Sequence, residues 1–412
     1  MSEILDITQA QAQLQTHGWI ARKSEAFHHL PPPALETWLG TEPAAVASTQ
    51  DWQVTVQDGA ASVQVQHLSA LNAAERATLF ADLPAPQGEA APFAWAHRAL
   101  CRQGLRIQVA ANGANAAPVR LHIHHTAHTA VDAPLVVLDV APGARCLLLH
   151  THSRSGDLQQ ITQNLHMHIR VGEGAVLQHL RIADVRTADH LAHTQNVDVQ
   201  GHAHYHQALC TSGCAYQLQR SDIDLHGPGA CVRHAGLLLT GTHNVDHQIY
   251  TRHNAPDTDS HVQMLALASG KSRSVANAFT YIAPGARDAN VHQRLWGIAL
   301  DGQPRLILRP HLEILHDQVA AVHGATWGAL PEDALFYAQQ RGLAPDTARS
   351  LIIEGKARAL LERALLERAL PNIESDGEGE ASSSLLSAWL EGDWLPQAIN
   401  AHLAATTLQE SA

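Results

Sequence analysis

The sequence predicts a mainly β protein: a parallel β-helix core, with a mixed α/β region before it and a helical domain after it. Three observations carry this. Between about Gly104 and Gly328, short alternating runs such as Leu121-His122-Ile123-His124, Leu165-His166-Met167-His168-Ile169 and Val197-Asp198-Val199 recur, with hardly a helical period among them. Tight turns of one kind separate the runs: Ala141-Pro142-Gly143-Ala144, Val171-Gly172-Glu173-Gly174-Ala175, Gly227-Pro228-Gly229-Ala230 and Ala283-Pro284-Gly285-Ala286. These turns carry no hairpin signal, and the runs are short and similar in length, as stacked coils require.

The 412 residues divide on this reading into 1–103, 104–329 and 330–412. In the first part, a helix from Asp6 to Trp19 leads to a break at Pro31-Pro32-Pro33. Gln53-Val54-Thr55-Val56 and Ser62-Val63-Gln64-Val65-Gln66 alternate as half-buried strands do. Asn72 to Leu83 reads as a helix, with Asn72 as N-cap and Glu75 three residues on in capping-box spacing. After the core, Pro331 to Arg341 reads as a helix stopped by Gly342. A longer helix runs from Pro345 to Leu370 and ends at Pro371. Residues 375–384, acidic and small, read as a disordered linker, and an amphipathic helix follows from Leu385 to Leu408.

Composition excludes several function classes. The chain has 27 Lys and Arg against 39 Asp and Glu, a net charge of −12, and only three Lys. Without a basic run it is not expected to bind nucleic acid. No apolar stretch is long enough to span a membrane, and Met1 to Asp6 lacks the basic and apolar regions of a signal peptide. Five Cys argue against a disulfide framework, so a cytoplasmic protein is expected.

The anomaly is 30 His, most of them in the β region. Pairs two apart recur: His122/His124, His150/His152, His166/His168 and His202/His204/His206. On a strand that spacing puts both imidazoles on one face. The expectation is His that are solvated or packed between strands on the outer face; a transition-metal site is the alternative. Cys210 and Cys214 read as buried structural thiols or half of a metal site, with Cys231 the other thiol nearby. Ser269-Gly270-Lys271-Ser272 looks like the end of a P-loop, but the earlier Gly is Leu265 and no helix follows. Val322-His323-Gly324-Ala325-Thr326-Trp327-Gly328 stands out at the junction with the helices, its two Gly marking close backbone approach. His323 is there either a core residue or a functional one. A His-rich metal-binding protein and a polysaccharide-active β-helix enzyme are the competing classes.

At this junction the chain resembles the SufB/SufD family of iron–sulfur cluster assembly proteins. The likeness rests on Pro310-His311-Leu312-Glu313-Ile314, Val322-His323-Gly324-Ala325-Thr326, Ala334-Leu335-Phe336-Tyr337, Arg341-Gly342-Leu343 and Leu351-Ile352-Ile353-Glu354-Gly355. Upstream, Gly236-Leu237-Leu238-Leu239, Asp246-His247, Gly270-Lys271-Ser272-Arg273 and Gln293-Arg294-Leu295 keep the family's order. The overall pattern is most like SufD. The resemblance implies a right-handed parallel β-helix core and a helical C-terminal domain. It also implies a non-catalytic scaffold subunit of a SufBCD-type complex, paired through its β-helix with a SufB-like subunit or a second copy of itself. ATP hydrolysis falls to a SufC-like ATPase docked on the C-terminal helices, with Phe336, Tyr337, Arg341, Leu351 and Ile352 as the implied docking residues. His323 carries over as the group at the cluster-assembly interface and a metal ligand there. No cofactor is implied to bind tightly to this chain alone; a transient iron–sulfur cluster would form at the subunit interface. The Cys that many members carry two residues before this His is Ala321 here, so this chain offers no thiolate at that point.

Overall fold

The computed structural model describes residues 5–40, 51–57, 59–111, 117–183, 185–241, 243–366 and 392–407. The N-terminal part holds α1 (Leu5–His17), α2 (Leu35–Leu39), β1 (Trp52–Val56), β2 (Val63–His67), α3 (Ala73–Asp82) and α4 (Ala91–Leu100). Asn72 caps α3 as its spacing predicts. Its Oδ1 accepts from the Ala74 and Glu75 N–H groups at 2.9 and 3.0 Å, and the Glu75 carboxylate accepts from the Asn72 N–H at 2.9 Å. α4 is an element that periodicity alone does not reveal. It is short and starts beside Pro92, and its face of Phe93, Ala96 and Ala99 becomes meaningful only against the sheet it covers.

The solenoid follows as β3 (Gly104–Val109), β4 (Val119–Ala127), β5 (Val131–Asp132), β6 (Leu135–Val140), β7 (Arg145–Arg154), β8 (Thr162–Val171), β9 (Val176–Ala183) and β10 (His190–Val199). It continues with β11 (His204–Ser212), β12 (Tyr216–Leu225), β13 (Cys231–Thr240), β14 (Asn244–His253), β15 (Asp259–Ala268), β16 (Arg273–Ile282), β17 (Ala289–Ala299), β18 (Arg305–Ile314) and β19 (Val319–Gly328). Alternate strands build two sheets, β4-β7-β9-β11-β13-β15-β17-β19 and β3-β6-β8-β10-β12-β14-β16-β18, in about eight parallel coils. The Pro/Gly turns sit at the coil corners, where Gly143, Gly174, Gly229 and Gly285 take φ of 70°, 63°, 69° and 87°, as only a residue without Cβ does freely.

Side chains alternate between the lumen and the outer faces. Leu165, Met167, Ile169 and Val171 of β8 join Leu148, Leu177, Ile223, Leu238 and Met264 in one continuous core. The outer face of the second sheet is covered by N-terminal helices, with Trp38 and Phe93 on Tyr216 and Leu218. The outer face of the first sheet is covered by α6 (Pro345–Leu366), which follows α5 (Glu332–Gln340) and precedes α7 (Trp394–Thr407). Ile353, Ala357, Leu360, Leu361 and Ala364 fall at helical spacing and bury against Leu237, Leu239, Leu265 and Leu267. The expected linker at 375–384, and the start of the last helix before Trp394, lie outside the described residues.

The two ends of the column differ. At the start, β1 pairs antiparallel with β4 and β2 antiparallel with β3, closing the first coil. At the finish, β18 and β19 pair only with the preceding coil among the described residues.

Coil stacking makes a test of one corner. A Cβ on Gly227 would lie 2.1 Å from the Gly201 backbone nitrogen, whereas a Cβ on Gly324 meets nothing within 4 Å. Gly227→Ala is expected to lose about 1–3 kcal/mol of stability and Gly324→Ala none; equal thermal midpoints for the two would contradict this packing.

Candidate functional site

The histidines do not lie where their spacing suggests. His122 and His124 match the expectation, half-buried on the outer face and both hydrogen-bonded to Thr151 Oγ1, at 2.9 and 2.8 Å. His166 and His168 are on an outer face but beneath α4, with the His166 ring 4.4 Å from that of His97. His125, His150, His152, His179, His193, His234 and His247 are buried and share the inward phase of their strands with core residues such as Ile123 and Leu148. Outer-face solvation is therefore wrong for these. Spacing of two fixes a common face but not which face, and the lumen of a long coil has polar stretches of its own.

Amides satisfy His193 and His234 and fix their tautomers, whereas both ring nitrogens of His150 and one each of His179 and His247 have no hydrogen-bond partner among the described residues. Gln207 Nε2 donates to Gln195 Oε1 at 2.9 Å, so Gln207 Oε1 faces His234 Nδ1, 3.0 Å away, and Nδ1 must carry the hydrogen. His234 Nε2 then accepts from His247 Nε2–H at 3.0 Å. His193 Nε2 donates to Gln163 Oε1 at 2.8 Å, while its Nδ1 accepts from the buried guanidinium of Arg181. Burial pushes His179 and His234 down to about 3 and holds His150, His193 and His247 well below 6.5. The lumen is thus polar and built largely of neutral groups, Arg181, Asp132 and the Arg154–Asp189 pair being the charged ones among the described residues.

His323 continues this interior line to its end. One ladder of residues in register runs Leu148, His179, Gln207, His234, Val262, Gln293, His323, from β7 to β19. Gln293 is buried and donates to Thr280 Oγ1 at 2.7 Å; His323, on the last coil, is exposed. Around it the edge is apolar and open, with Val322 61% and Trp327 75% exposed, and with Ile314 and Leu315 exposed at the end of β18. His311 of β18 stacks on Phe279 with centroids 5.0 Å apart.

Of the five helical residues, four form a surface. Phe336 and Tyr337 are 64% and 59% exposed on α5, a helix with no buried residue. The Arg341 guanidinium lies 3.5 Å over the Tyr337 ring. Leu351 is exposed on α6, but Ile352 turns inward and packs against the core under that helix. A cavity of about 420 Å³, lined by Trp296, Thr326, Trp327, Lys356, Leu360 and Arg363, lies between β19 and α6.

The other motifs resolve plainly. Ser269–Ser272 is a turn between β15 and β16, and the Gly270 N–H already donates to Asp301 Oδ1 at 2.9 Å. Cys210 lies beneath α6, whereas Cys214 sits in a separate cluster with its thiol donating to Tyr216 O. Burial pushes the Cys210 thiol up to about 12, and the Cys231 thiol, beside His204 rather than either of the other two, up to about 11.

Residues 122–356, more than half of the chain, match the family model for the SufBD core domain of SUF system FeS cluster assembly. The chain belongs to the SufBD family. It is 24% identical over 227 residues to the iron–sulfur cluster assembly protein SufD of Escherichia coli (strain K12), covering 55% of this chain and 53% of that protein. A SufBD family protein of Mycobacterium bovis is 27% identical over 118 residues, 29% of this chain and 14% of its own length. Protein ABCI7, chloroplastic, of Arabidopsis thaliana is 33% identical over 78 residues, 19% of this chain and 16% of its own. The chain thus spans about half the length of the E. coli relative and far less of the others. The matched span covers the solenoid from β4 onward, the open coil with His323, α5 and the first half of α6.

The buried imidazoles make stability depend on pH with a fixed sign. In the unfolded chain each takes a proton near 6.5; folded, His179 and His234 resist protonation down to about 3. Their stabilising contribution is complete above 6.5 and is lost as pH falls toward 3, at up to about 1.4 kcal/mol per pH unit for each imidazole. Denaturant midpoints should hold steady above neutrality and fall steeply below it. A midpoint unchanged down to about pH 5 would show that these rings are not neutral and buried.

Proposed function

We propose that this chain is a SufD-like, non-catalytic scaffold subunit of a cytoplasmic SufBCD-type complex for iron–sulfur cluster assembly. The observation that carries the proposal is the asymmetry of the column. One end is closed by antiparallel strands, while the other presents two edge strands, unpaired on their outer side among the described residues, with exposed Val322 and Trp327. Unpaired backbone N–H and C=O groups beside exposed apolar side chains favour edge-to-edge addition of another sheet. A SufB-like subunit is the proposed occupant, with a second copy of this chain as the alternative pairing. Joining the last coils would bring His323 to the seam.

The cluster is cargo in this reading, held only while it is built. Imidazole is a fitting iron ligand, and with Ala321 in place of a thiol, sulfur ligands at the seam would come from the partner. The exposed face of Phe336, Tyr337, Arg341 and Leu351 suits docking of a SufC-like ATPase, which would supply the hydrolysis. Ile352 would contribute by holding α6 in place rather than by contact.

His323→Ala should leave folding and ATPase binding intact. In cells that depend on this complex, it should lower the activity of cluster-containing enzymes by about 10–100-fold, the range expected when a metal-orienting group is lost. Full complementation by the variant would remove the role given to His323. Phe336→Asp should weaken co-purification with the ATPase by about 30-fold, roughly 2 kcal/mol, as loss of an aromatic anchor does. Unchanged binding would eliminate α5 as the docking surface.

A further inference from the structure

Away from the open end, the outer face of the first sheet carries a second cluster. His204 and His206, two apart on β11, project from one face, and Cys231 stands opposite His204 in register on β13. A ligating nitrogen of each histidine and the Cys231 sulfur all lie within 4.8 Å of one another. The two rings meet edge to face, centroids 6.0 Å apart and planes at 81°. His206 is fully buried, and neither of its ring nitrogens has a hydrogen-bond partner. Leaving a buried polar atom unsatisfied costs about 1–3 kcal/mol. The lumenal His193 and His234, equally buried, have both ring nitrogens bonded; His150 has neither bonded but belongs to no such three-ligand group among the described residues. An imidazole that lacks both bonds while facing a second imidazole and a thiol is the arrangement a metal ion completes.

We propose that His204, His206 and Cys231 form a binding site for a divalent transition ion of the zinc class. Two imidazoles and a thiolate are borderline-soft donors, which select such an ion over Mg²⁺ or Ca²⁺. In a tetrahedral zinc site the ligand atoms stand about 3.3–3.5 Å apart, so small side-chain rotations close the cluster around an ion. As the sulfur–metal bond forms, the Cys231 proton leaves to solvent, and each imidazole gives a neutral lone pair. Burial and Asp259, to which the thiol donates, hold the proton on Cys231, and Arg233, two residues on and in register with His206, opposes them, so it is the ion that must displace the proton. Asp259, 3.8 Å from the sulfur, is held by Asn290 Nδ2 at 2.6 Å and His261 at 3.2 Å. The fourth position is left to water. Four strand spacings, ~19 Å, separate β11 from β19, so the site stands or falls apart from the role given to His323.

The test uses the full chain, stripped of metal by a chelator and titrated with Co²⁺ as the spectroscopic stand-in for zinc. One equivalent should bring up a thiolate-to-cobalt charge-transfer band, which Zn²⁺ then abolishes by displacement. Cys231→Ser should remove the band, Cys210→Ser should keep it, and His206→Gln should weaken binding about tenfold or more. At equal Zn²⁺ the thermal midpoint of the wild-type chain should rise more than that of His206→Gln. Cobalt bound without the band, as the many other histidines alone would give, overturns the proposal, as does a band that survives Cys231→Ser. Should Cys231→Ser fail to fold, the wild-type band and the His206→Gln affinity still decide the matter.

Discussion

Every coil of this column relies on its neighbours for backbone hydrogen bonds, and the rest of the architecture answers to that dependence. A strand inside the stack has its N–H and C=O groups satisfied on both sides; a terminal strand has one side bare. At the first coil the chain spends β1 and β2 on closing that side in antiparallel fashion. At the last coil it does not, and β18 and β19 are 10 residues long each, unblunted by a short length or a bulge. Charged and polar residues do occur there, Arg305, Arg309 and Glu313 on β18 among them, but β19 itself carries no charged residue. A long, flat, uncharged edge is a liability in a free monomer and an asset in a subunit.

The same stacking accounts for the histidines of the lumen. Coil-to-coil register places the same phase of every strand on the same inner line, so polar positions in the lumen stack into continuous files. A file of carboxylates or ammonium groups would have to bury charge with no solvent in reach, at several kcal/mol per ion. A neutral imidazole can donate with one nitrogen and accept with the other, and so links amides such as Gln163, Gln195 and Gln207 into a chain without charge. His234 and His247 can face each other only because their neutral rings present a hydrogen and a lone pair across 3.0 Å. The lumenal guanidinium of Arg181 has its pKa drawn down to about 10 by burial and is set against His193 Nδ1 and near Tyr205, whereas that of Arg154 pairs with the buried Asp189.

What could be read in advance follows the range of each signal. The Asn72–Glu75 cap is a contact across three residues, and it formed as spelled. The Pro/Gly corners are equally local, because a positive φ is demanded by the turn itself. The face of a histidine pair is not local. His166/His168 and His150/His152 have the same spacing, yet one pair lies under α4 and the other in the lumen, a difference settled by which phase the hydrophobic partners take. Cys231 was hidden for the same reason: its neighbours His204 and His206 are 27 and 25 positions earlier but one coil away. Of the residues that the resemblance implies for docking, Phe336, Tyr337 and Leu351 are exposed, while Ile352 belongs to the packed stripe with Ile353, Ala357 and Leu361.

The two surfaces that the proposed function would use are also close along the chain. β19 ends at Gly328 and α5 begins at Glu332, so only Ala329, Leu330 and Pro331 separate the strand bearing His323 from the helix bearing Phe336. α5 buries none of its residues, whereas α6 is fastened along the first sheet, its far end meeting Gln178 through the Leu365 carbonyl. In the proposed docking, a partner on α5 would act on a helix held by Leu335, which packs with Leu330 against the core beneath α6, and by two chain connections, one leading to α6 and the other to the open strand. Proline in that connection limits its slack, and the cavity between Trp327 and α6 leaves room on the strand's outer side. Displacement of α5 would thus bear on both of its attachments, the packed α6 and the terminal coil.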